Sequence, residues 1–172
     1  CASVVDHGLK NNKLEDYNYD RLGYNYHLSE LQAAIGAVQL KKLNDFNKQR
    51  RKNAYLYKKL LGNTSLVFQQ EPPNSHCVYY CLTALLPEKF AKYRDWFVEA
   101  VRAENVEINR LYPLPLHKTD LFKKFKSNCP NTENVASRLF NFYTNPGISE
   151  KYIRLTYKAV KKVLNYMEDK YG

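Results

Sequence analysis

Apolar residues recur at helical spacing over residues 28–61, which predicts one long amphipathic helix there. Ser29 followed by Gln32 forms a capping box, in which each side chain satisfies a backbone N–H at the helix start. Gly62 is a suitable stop because glycine accepts the left-handed conformation that ends many helices. The positions that define the period are Leu28, Leu31, Ile35, Val38, Leu43, Phe46, Ala54, Tyr57 and Leu61.

After this helix the pattern alternates between strands and helices. Strands are predicted at 66–69 and 77–85, separated by a Pro-rich breaker at 71–75. A second helix is predicted over 88–104, and a short strand over 106–109. The apolar side of the second helix is predicted to carry Phe90, Trp96, Phe97 and Val101.

The C-terminal third is read mainly as helices. A short helix is predicted near 119–126, another over 131–140, and a last one over 149–169 with Ser149 as its N-cap. The core face of the last helix is predicted to consist of Ile153, Val160, Val163, Leu164 and Met167. The whole pattern is that of an α/β fold with a small, mostly antiparallel sheet.

Residues 1–27 have no clear period and read as a long loop. Turn formers such as Asn11 and Asn12 alternate with tyrosines such as Tyr17, which favours an ordered loop lying against another surface. The predicted organisation is therefore a loop over 1–27, an interdomain helix over 28–62 and a small α/β domain over 63–172.

Composition excludes some classes of protein. A hydrophobic content of 44% with 15 tyrosines argues against disorder. The longest apolar run is too short to span a membrane, and no secretory leader is evident, so a cytoplasmic protein without a membrane partner is expected.

The net charge of +10 raises the question of nucleic-acid binding. However, the basic residues are spread over every predicted helix, and even the densest cluster, 48–52, lies within one. A solvated helix face is the favoured interpretation, and nucleic acid is not predicted as a partner. A basic surface would also attract a nucleotide-sugar diphosphate.

The four cysteines do not form a disulfide framework at this chain length. Cys77 and Cys81, with His76, invite a metal hypothesis, but zinc sites usually contain a second ligand pair. Both cysteines alternate with apolar residues, so packing in or beside a sheet is favoured, and no metal site is predicted.

Candidate chemistry lies directly before the long helix, in Gly23-Tyr24-Asn25-Tyr26-His27. A helix N-terminus presents free N–H groups and a positive dipole, which suits phosphate. Asn25 adds a neutral donor, and His27 a donor that can be charged. From these residues alone, ordinary turn chemistry is the favoured explanation, because Asn and Gly before a helix cap are common turn residues.

Residues 23–36 closely resemble a signature of the DegT/DnrJ/EryC1/StrS family of pyridoxal-phosphate (PLP) enzymes. Leu111-Tyr112-Pro113-Leu114-Pro115-Leu116-His117 resembles the family's Tyr-Pro-x-Pro-Leu-His element. Asp6-His7-Gly8 and residues 138–149 resemble its flanking segments. The resemblance covers essentially all 172 residues in the correct order.

The resemblance implies the C-terminal part of an aspartate-aminotransferase-type fold, working as a homodimer with shared active sites. It implies that Asn25 contacts the cofactor phosphate of the partner subunit. It also places Tyr24, His27 and His117 on the substrate side. At the position of His27 the family commonly has Arg, so recognition of an anionic donor through this shorter side chain departs from the pattern. For His117, a structural role in holding a Pro-rich loop is the alternative.

The resemblance also implies what the chain lacks. The Schiff-base lysine, the aromatic that stacks on PLP and the carboxylate that pairs with its ring nitrogen belong to a segment upstream of Asp6-His7-Gly8. No catalytic residue is therefore assigned within the chain, which is expected to be a truncated piece that is inactive alone. A relative that replaces the lysine with His and acts as a dehydratase stays open.

The leading hypothesis is thus the C-terminal part of a PLP-dependent aminotransferase of polysaccharide biosynthesis. The complete enzyme would transfer an amino group, with glutamate as the expected donor, to a nucleotide-linked keto sugar. The alternative is a non-catalytic partner-binding or regulatory domain that keeps the family fold. A nucleic-acid-binding module is the least favoured.

Overall fold

The computed structural model of the protein describes residues 2–10, 19 and 21–172. Predictions for Cys1, Asn11, Asn12, Tyr17 and the other residues between these ranges lie outside the described part. The chain divides into two compact units, Cys1–Asn44 and Asp45–Gly172. Among the described residues, no helix is both long enough and apolar enough to cross a bilayer.

The α-helices match much of the predicted pattern. Their bounds are α1 Ala2–Val5, α2 Glu30–Leu61, α3 Arg94–Arg102, α4 Pro130–Arg138 and α5 Glu150–Tyr171. Short 3₁₀ helices cover Glu88–Tyr93, Leu116–Lys118 and Lys123–Phe125. The capping box at α2 is confirmed, since the Ser29 N–H donates to Gln32 Oε1 and the Gln32 N–H to Ser29 Oγ. The Ser149 cap of α5 is also confirmed.

The second unit contains a four-stranded sheet in the order β1-β2-β4-β3. The strands are β1 Val67–Phe68, β2 Cys81–Leu85, β3 Ile108–Asn109 and β4 Leu139–Tyr143. Every neighbouring pair is antiparallel, which confirms the predicted sheet type. The inner strand β4 is not predicted from the sequence, whose pattern assigns these residues to the end of a helix and to a closing segment.

One face of the sheet forms the core with α3, α5 and the end of α2. Phe140 and Phe142 of β4 are fully buried, and Tyr57 of α2 stacks on Phe142 with ring centroids 4.7 Å apart. All five predicted core residues of α5 are buried, as are Phe90, Phe97 and Val101. Trp96 is the exception: it is 42% exposed and stacks on Tyr166 rather than entering the core.

Along α2, burial is confined to the part of the helix in the second unit. Ala54, Tyr57 and Leu61 are fully buried. The earlier apolar positions of the same period are exposed in the described part of the chain; they are Leu28, Leu31, Ile35, Val38, Leu43 and Phe46. A helical period therefore identified the helix correctly without showing which part of it is covered.

The predicted strand at 77–85 begins four residues late, at Cys81. Tyr79 has a left-handed backbone with φ of 50°, which a strand cannot accommodate. The backbone of Cys77 is bound by side chains instead: its N–H donates to Glu71 Oε1 at 2.8 Å, and its carbonyl accepts from Arg51. Arg51 on α2 also pairs with Glu71 at 2.8 Å, so this ion pair fastens the segment before β2 to the helix.

Candidate functional site

Two sequence segments that resemble family motifs meet in the first unit. The His7 N–H donates to the Tyr24 carbonyl at 3.0 Å, and the Tyr24 N–H donates to the Val4 carbonyl at 2.8 Å. The Tyr26 N–H donates to the Val5 carbonyl at 2.9 Å. The stretch around His7 is thereby paired with the stretch that leads into α2.

Two glycines allow this pairing. Gly8 has φ of 85°, in the region that favours glycine. A Cβ added at Gly23 would lie 2.0 Å from the Gly8 backbone nitrogen, which is impossible without movement of the backbone. The motif glycines are therefore required for close approach between the two segments.

The predicted site residues of this unit lie on the surface. Tyr24 and Tyr26 stack with ring centroids 5.0 Å apart. Asn25 is exposed, five residues before the first residue of α2, with its amide able to donate or accept. His27 Nε2 lies 3.1 Å from Asp6 Oδ1, and the Asp6 side chain is only 17% exposed.

The contact with Asp6 gives His27 a fixed orientation. A carboxylate bound to one ring nitrogen favours one tautomer and leaves the other nitrogen for a second partner. Asp6 belongs to the short Asp-His-Gly stretch, but its contact with His27 was not predicted, because nothing local links residues so far apart in sequence.

The predicted site residue of the second unit, His117, is mostly buried against α4. Its Nε2 lies 3.0 Å from Glu133 Oε1, and Lys118 pairs with the other oxygen of the same carboxylate. Hydrogen bonds from Lys118 and then His117 hold the pKa of Glu133 below its usual range. This is the contact expected if His117 holds the Pro-rich loop; its role as a substrate contact stays a prediction.

The Pro-rich segment runs across the sheet face opposite the core. The Leu111 N–H donates at 3.0 Å to the side-chain oxygen of Asn141 in β4. Tyr112, which is 83% exposed, has φ of 57°, a strained conformation for an aromatic residue. An apolar cavity of about 570 Å³ lies between this segment and α4; its lining includes Tyr112, Leu114, Leu116, Val135 and Leu139.

A second cavity, about 370 Å³ in volume, adjoins the same sheet face. Its lining includes Arg50, Asn109, Asn141 and Asn145, none of which was predicted as a site residue. Arg50 was interpreted as part of a solvated basic run, and only the fold places it beside the sheet.

The two cysteines near β2 have no metal-like surroundings. Neither Cys77 nor Cys81 belongs to a cluster of three potential metal ligands among residues 2–10, 19 and 21–172. Cys81 lies in β2, as the packing interpretation predicts, and burial raises the pKa of its thiol. Cys77 lies before the strand.

Comparison with known proteins identifies relatives over nearly the whole chain. A profile of the DegT/DnrJ/EryC1/StrS aminotransferase family matches residues 1–161. The UDP-N-acetyl-3-dehydro-alpha-D-glucosamine 3-aminotransferase of Acidithiobacillus ferrooxidans is 29% identical over 160 residues, covering 92% of this chain and 42% of the relative. The GDP-perosamine synthase of Vibrio cholerae is 23% identical over 167 residues, covering 96% of this chain and 45% of the relative.

The fold has a clear counterpart among solved structures. The Helicobacter pylori aminotransferase involved in the biosynthesis of pseudoaminic acid superposes with a TM-score of 0.85 at 16% identity. The match covers 95% of this chain and 45% of that structure. The 172 residues thus span less than half the length of these relatives.

Proposed function

The chain belongs to the DegT/DnrJ/EryC1/StrS aminotransferase family, and on that basis we propose that it is the C-terminal part of a PLP-dependent sugar aminotransferase. The reaction proposed for the complete enzyme is transfer of an amino group from an amino acid, with glutamate as the expected donor, to a nucleotide-linked keto sugar. The observation that carries the proposal is the family match over residues 1–161, which includes the paired motif segments before α2.

Residues of the first unit fit a contact with the cofactor phosphate. Asn25 offers an exposed amide close to the N-terminus of α2, where the helix dipole favours an anion. We assign this amide to the PLP phosphate of a second copy in a homodimer. When bound, PLP supplies the electron-withdrawing ring that amino transfer requires.

The remaining assigned residues act on the substrate. Asp6 holds one nitrogen of the His27 ring, which leaves the other nitrogen for a carboxylate of the donor or a substrate oxygen. Tyr24, which is exposed and stacked on Tyr26, offers a hydroxyl and an aromatic ring for substrate contact. His117, held by Glu133, orients the Pro-rich segment on the substrate side.

A hybrid enzyme tests these assignments. The N-terminal part of the Acidithiobacillus ferrooxidans relative would be fused to these residues, and amination of its keto sugar by glutamate measured. We expect activity, and we expect Asn25→Ala to weaken PLP binding about tenfold or more, because hydrogen bonds to charged groups contribute roughly 1.5–3 kcal/mol.

The control is Asn44→Ala, which removes an exposed amide within α2 and is expected to leave PLP affinity unchanged. PLP affinity is read from the absorbance of the bound cofactor. A folded, cofactor-loaded hybrid that does not aminate any nucleotide-linked keto sugar would contradict the proposed function.

We also propose that the 172 residues alone do not transaminate, because no Schiff-base lysine is assigned within them. Incubation with PLP, borohydride reduction and peptide mapping is expected to give no stoichiometrically labelled lysine. One specifically labelled lysine with measurable turnover would overturn this assignment.

A non-catalytic binding domain is the second candidate. It is favoured by the exposed apolar side chains on the first half of α2, among them Leu31, Ile35 and Val38. It predicts an inactive hybrid together with a chain that dimerises at micromolar concentration in sedimentation experiments.

A further inference from the structure

The cavity beside Arg50 in the second unit has features of a ligand site. It adjoins the sheet face opposite the core and has a volume of about 370 Å³. This is near the lower end of the size range of small-molecule pockets. The residues with polar side chains in its lining include Arg50, Cys81, Asn109, Asn141, Tyr143 and Asn145.

The charge of the cavity is positive. Arg50 is the charged side chain of its described lining, and no carboxylate is part of that lining. The Arg50 guanidinium donates to the Tyr80 carbonyl at 3.0 Å and lies 5.5 Å from the centre of the Tyr80 ring. One hydrogen bond and one stacking contact fix the planar group and leave further donors for a ligand, since arginine carries five N–H groups.

The walls of the cavity are held in place by buried hydrogen bonds. Asn141 is 3% exposed; its amide donates to Thr83 Oγ1 at 2.9 Å, and its oxygen accepts from the Leu111 N–H. This fixes the floor of the site on β4.

The segments at the opening of the cavity are also held by hydrogen bonds. Asn53, buried on α2, donates to the Asn145 carbonyl at 3.0 Å, and Asn145 is part of the cavity lining. The Thr144 hydroxyl donates to the carbonyls of Tyr79 and Tyr80. Tyr79 is held in its left-handed conformation there, and such strain is retained only where the surroundings determine it.

We propose that this cavity binds the carboxylate of a small organic acid, with Arg50 as its charge partner and the Asn109 and Asn145 amides as neutral donors. A single arginine among neutral amides matches a monoanionic group, whereas a phosphate dianion calls for more positive charge. The volume admits an acid of amino-acid size. Binding requires only residues of the second unit, so the inference goes beyond the proposed amino transfer and does not depend on it.

The proposal is tested by adding ligand to the 172-residue chain and monitoring the backbone amide shifts by NMR. Succinate and glutamate are the probes, with succinamide and inorganic phosphate compared at constant ionic strength. Saturable shifts at residues 80–81, 109–111 and 141–145 are expected with both acids, and none with succinamide.

Variants identify the binding group. Arg50→Gln is expected to weaken succinate binding about tenfold or more, since a charge-assisted hydrogen-bonded pair is lost. Arg154→Gln is the matched control, because Arg154 is an exposed arginine paired with Glu150 on α5, and it is expected to change nothing. Asn145→Ala keeps the backbone bond to Asn53 and tests the cavity if Arg50→Gln unfolds the protein; it is expected to weaken binding severalfold.

Three results would overturn the proposal. The first is the absence of saturable shifts with either acid. The second is an equal loss of succinate affinity in the Arg50→Gln and Arg154→Gln variants. If Arg50→Gln does not fold, the corresponding result is unchanged affinity in a folded Asn145→Ala variant. The third is tighter binding of phosphate than of succinate, which would assign the cavity to a phosphoryl group.

Discussion

Glu71 is the residue on which the attachment of the segment before β2 depends. Its carboxylate accepts from Arg51 and from the Cys77 N–H, both at 2.8 Å, and from the Tyr55 hydroxyl at 3.1 Å. These bonds, first that of Arg51, lower the pKa of Glu71 to about 2 from its ordinary value of 4.5. The ionised form is therefore favoured in the folded protein.

We expect this carboxylate to make stability depend on pH. Because the pKa of Glu71 is depressed in the folded protein, its carboxylate contributes fully to the free energy of unfolding above about pH 4.5. This contribution is lost as the pH falls towards 2. Glu71→Gln is expected to lower the free energy of unfolding at neutral pH and to reduce its decline in acid. Urea unfolding at a series of pH values measures both effects.

The control for this prediction is Glu150→Gln, which removes an exposed i,i+4 partner of Arg154. Surface pairs of this kind contribute about 0–1 kcal/mol, so its acid profile is expected to match that of the parent. Identical profiles for the two variants would contradict the role given to Glu71.

Glycine at position 23 is expected to be indispensable for the paired motif segments. In Gly23→Ala the new Cβ meets the Gly8 backbone at 2.0 Å, so the segments must separate. Faster hydrogen exchange at the amides of His7, Tyr24 and Tyr26 is the expected result.

Gly36→Ala is the matched control, since a Cβ at Gly36 has no heavy atom within 4 Å. Alanine within a helix is expected to add about 0.5–1 kcal/mol of stability there. Unchanged exchange in Gly23→Ala would show that the segments are not held as described.

At the scale of elements, the sheet of the second unit depends on β4, because this strand pairs with both β2 and β3. Its Phe140 and Phe142 also form the aromatic centre of the core. Phe142 lies between Tyr57 of α2 and Phe68 of β1, so one strand connects the sheet to the long helix.

Phe142→Ala is expected to lower the free energy of unfolding by about 3–5 kcal/mol, because it leaves a cavity where three elements meet. Phe125→Ala, at a side chain that is 65% exposed, is expected to change it by less than about 0.5 kcal/mol. Chemical denaturation of both variants measures the difference. Equal changes in the free energy of unfolding for the two variants would show that Phe142 of β4 is not central to the core.

At the scale of the molecule, the chain carries a net charge of +10, but several of its basic residues take part in local ion pairs. In the second unit, Arg51 pairs with Glu71, Arg110 with Asp95, and Lys162 with Glu104. A nucleic-acid backbone would have to compete with these carboxylates.

We therefore expect only weak binding of duplex DNA by the chain. The affinity should depend on salt less steeply than that of proteins making 6–10 phosphate contacts. Fluorescence anisotropy of a labelled duplex over a range of salt concentrations gives the slope. A log–log slope of about −5 or steeper would restore the nucleic-acid hypothesis.

What the sequence alone determined is what depends on neighbours along the chain. Helices α2 and α5, with the caps at Ser29 and Ser149, follow from periods and end signals, because helical hydrogen bonds join residues four apart. The family motifs around Gly8 and Gly23 were readable for the same reason, since their residue types and spacing lie in the sequence itself.

What only the tertiary structure decided depends on partners distant in sequence. The pairing of β4 between β2 and β3, the exposure of Trp96, and the contacts of His27 with Asp6 and His117 with Glu133 each join separate segments. The same holds for the cavity beside Arg50, whose walls come from four parts of the chain. Local patterns do not encode such contacts, because burial and ion pairing are set by whichever elements the fold brings together.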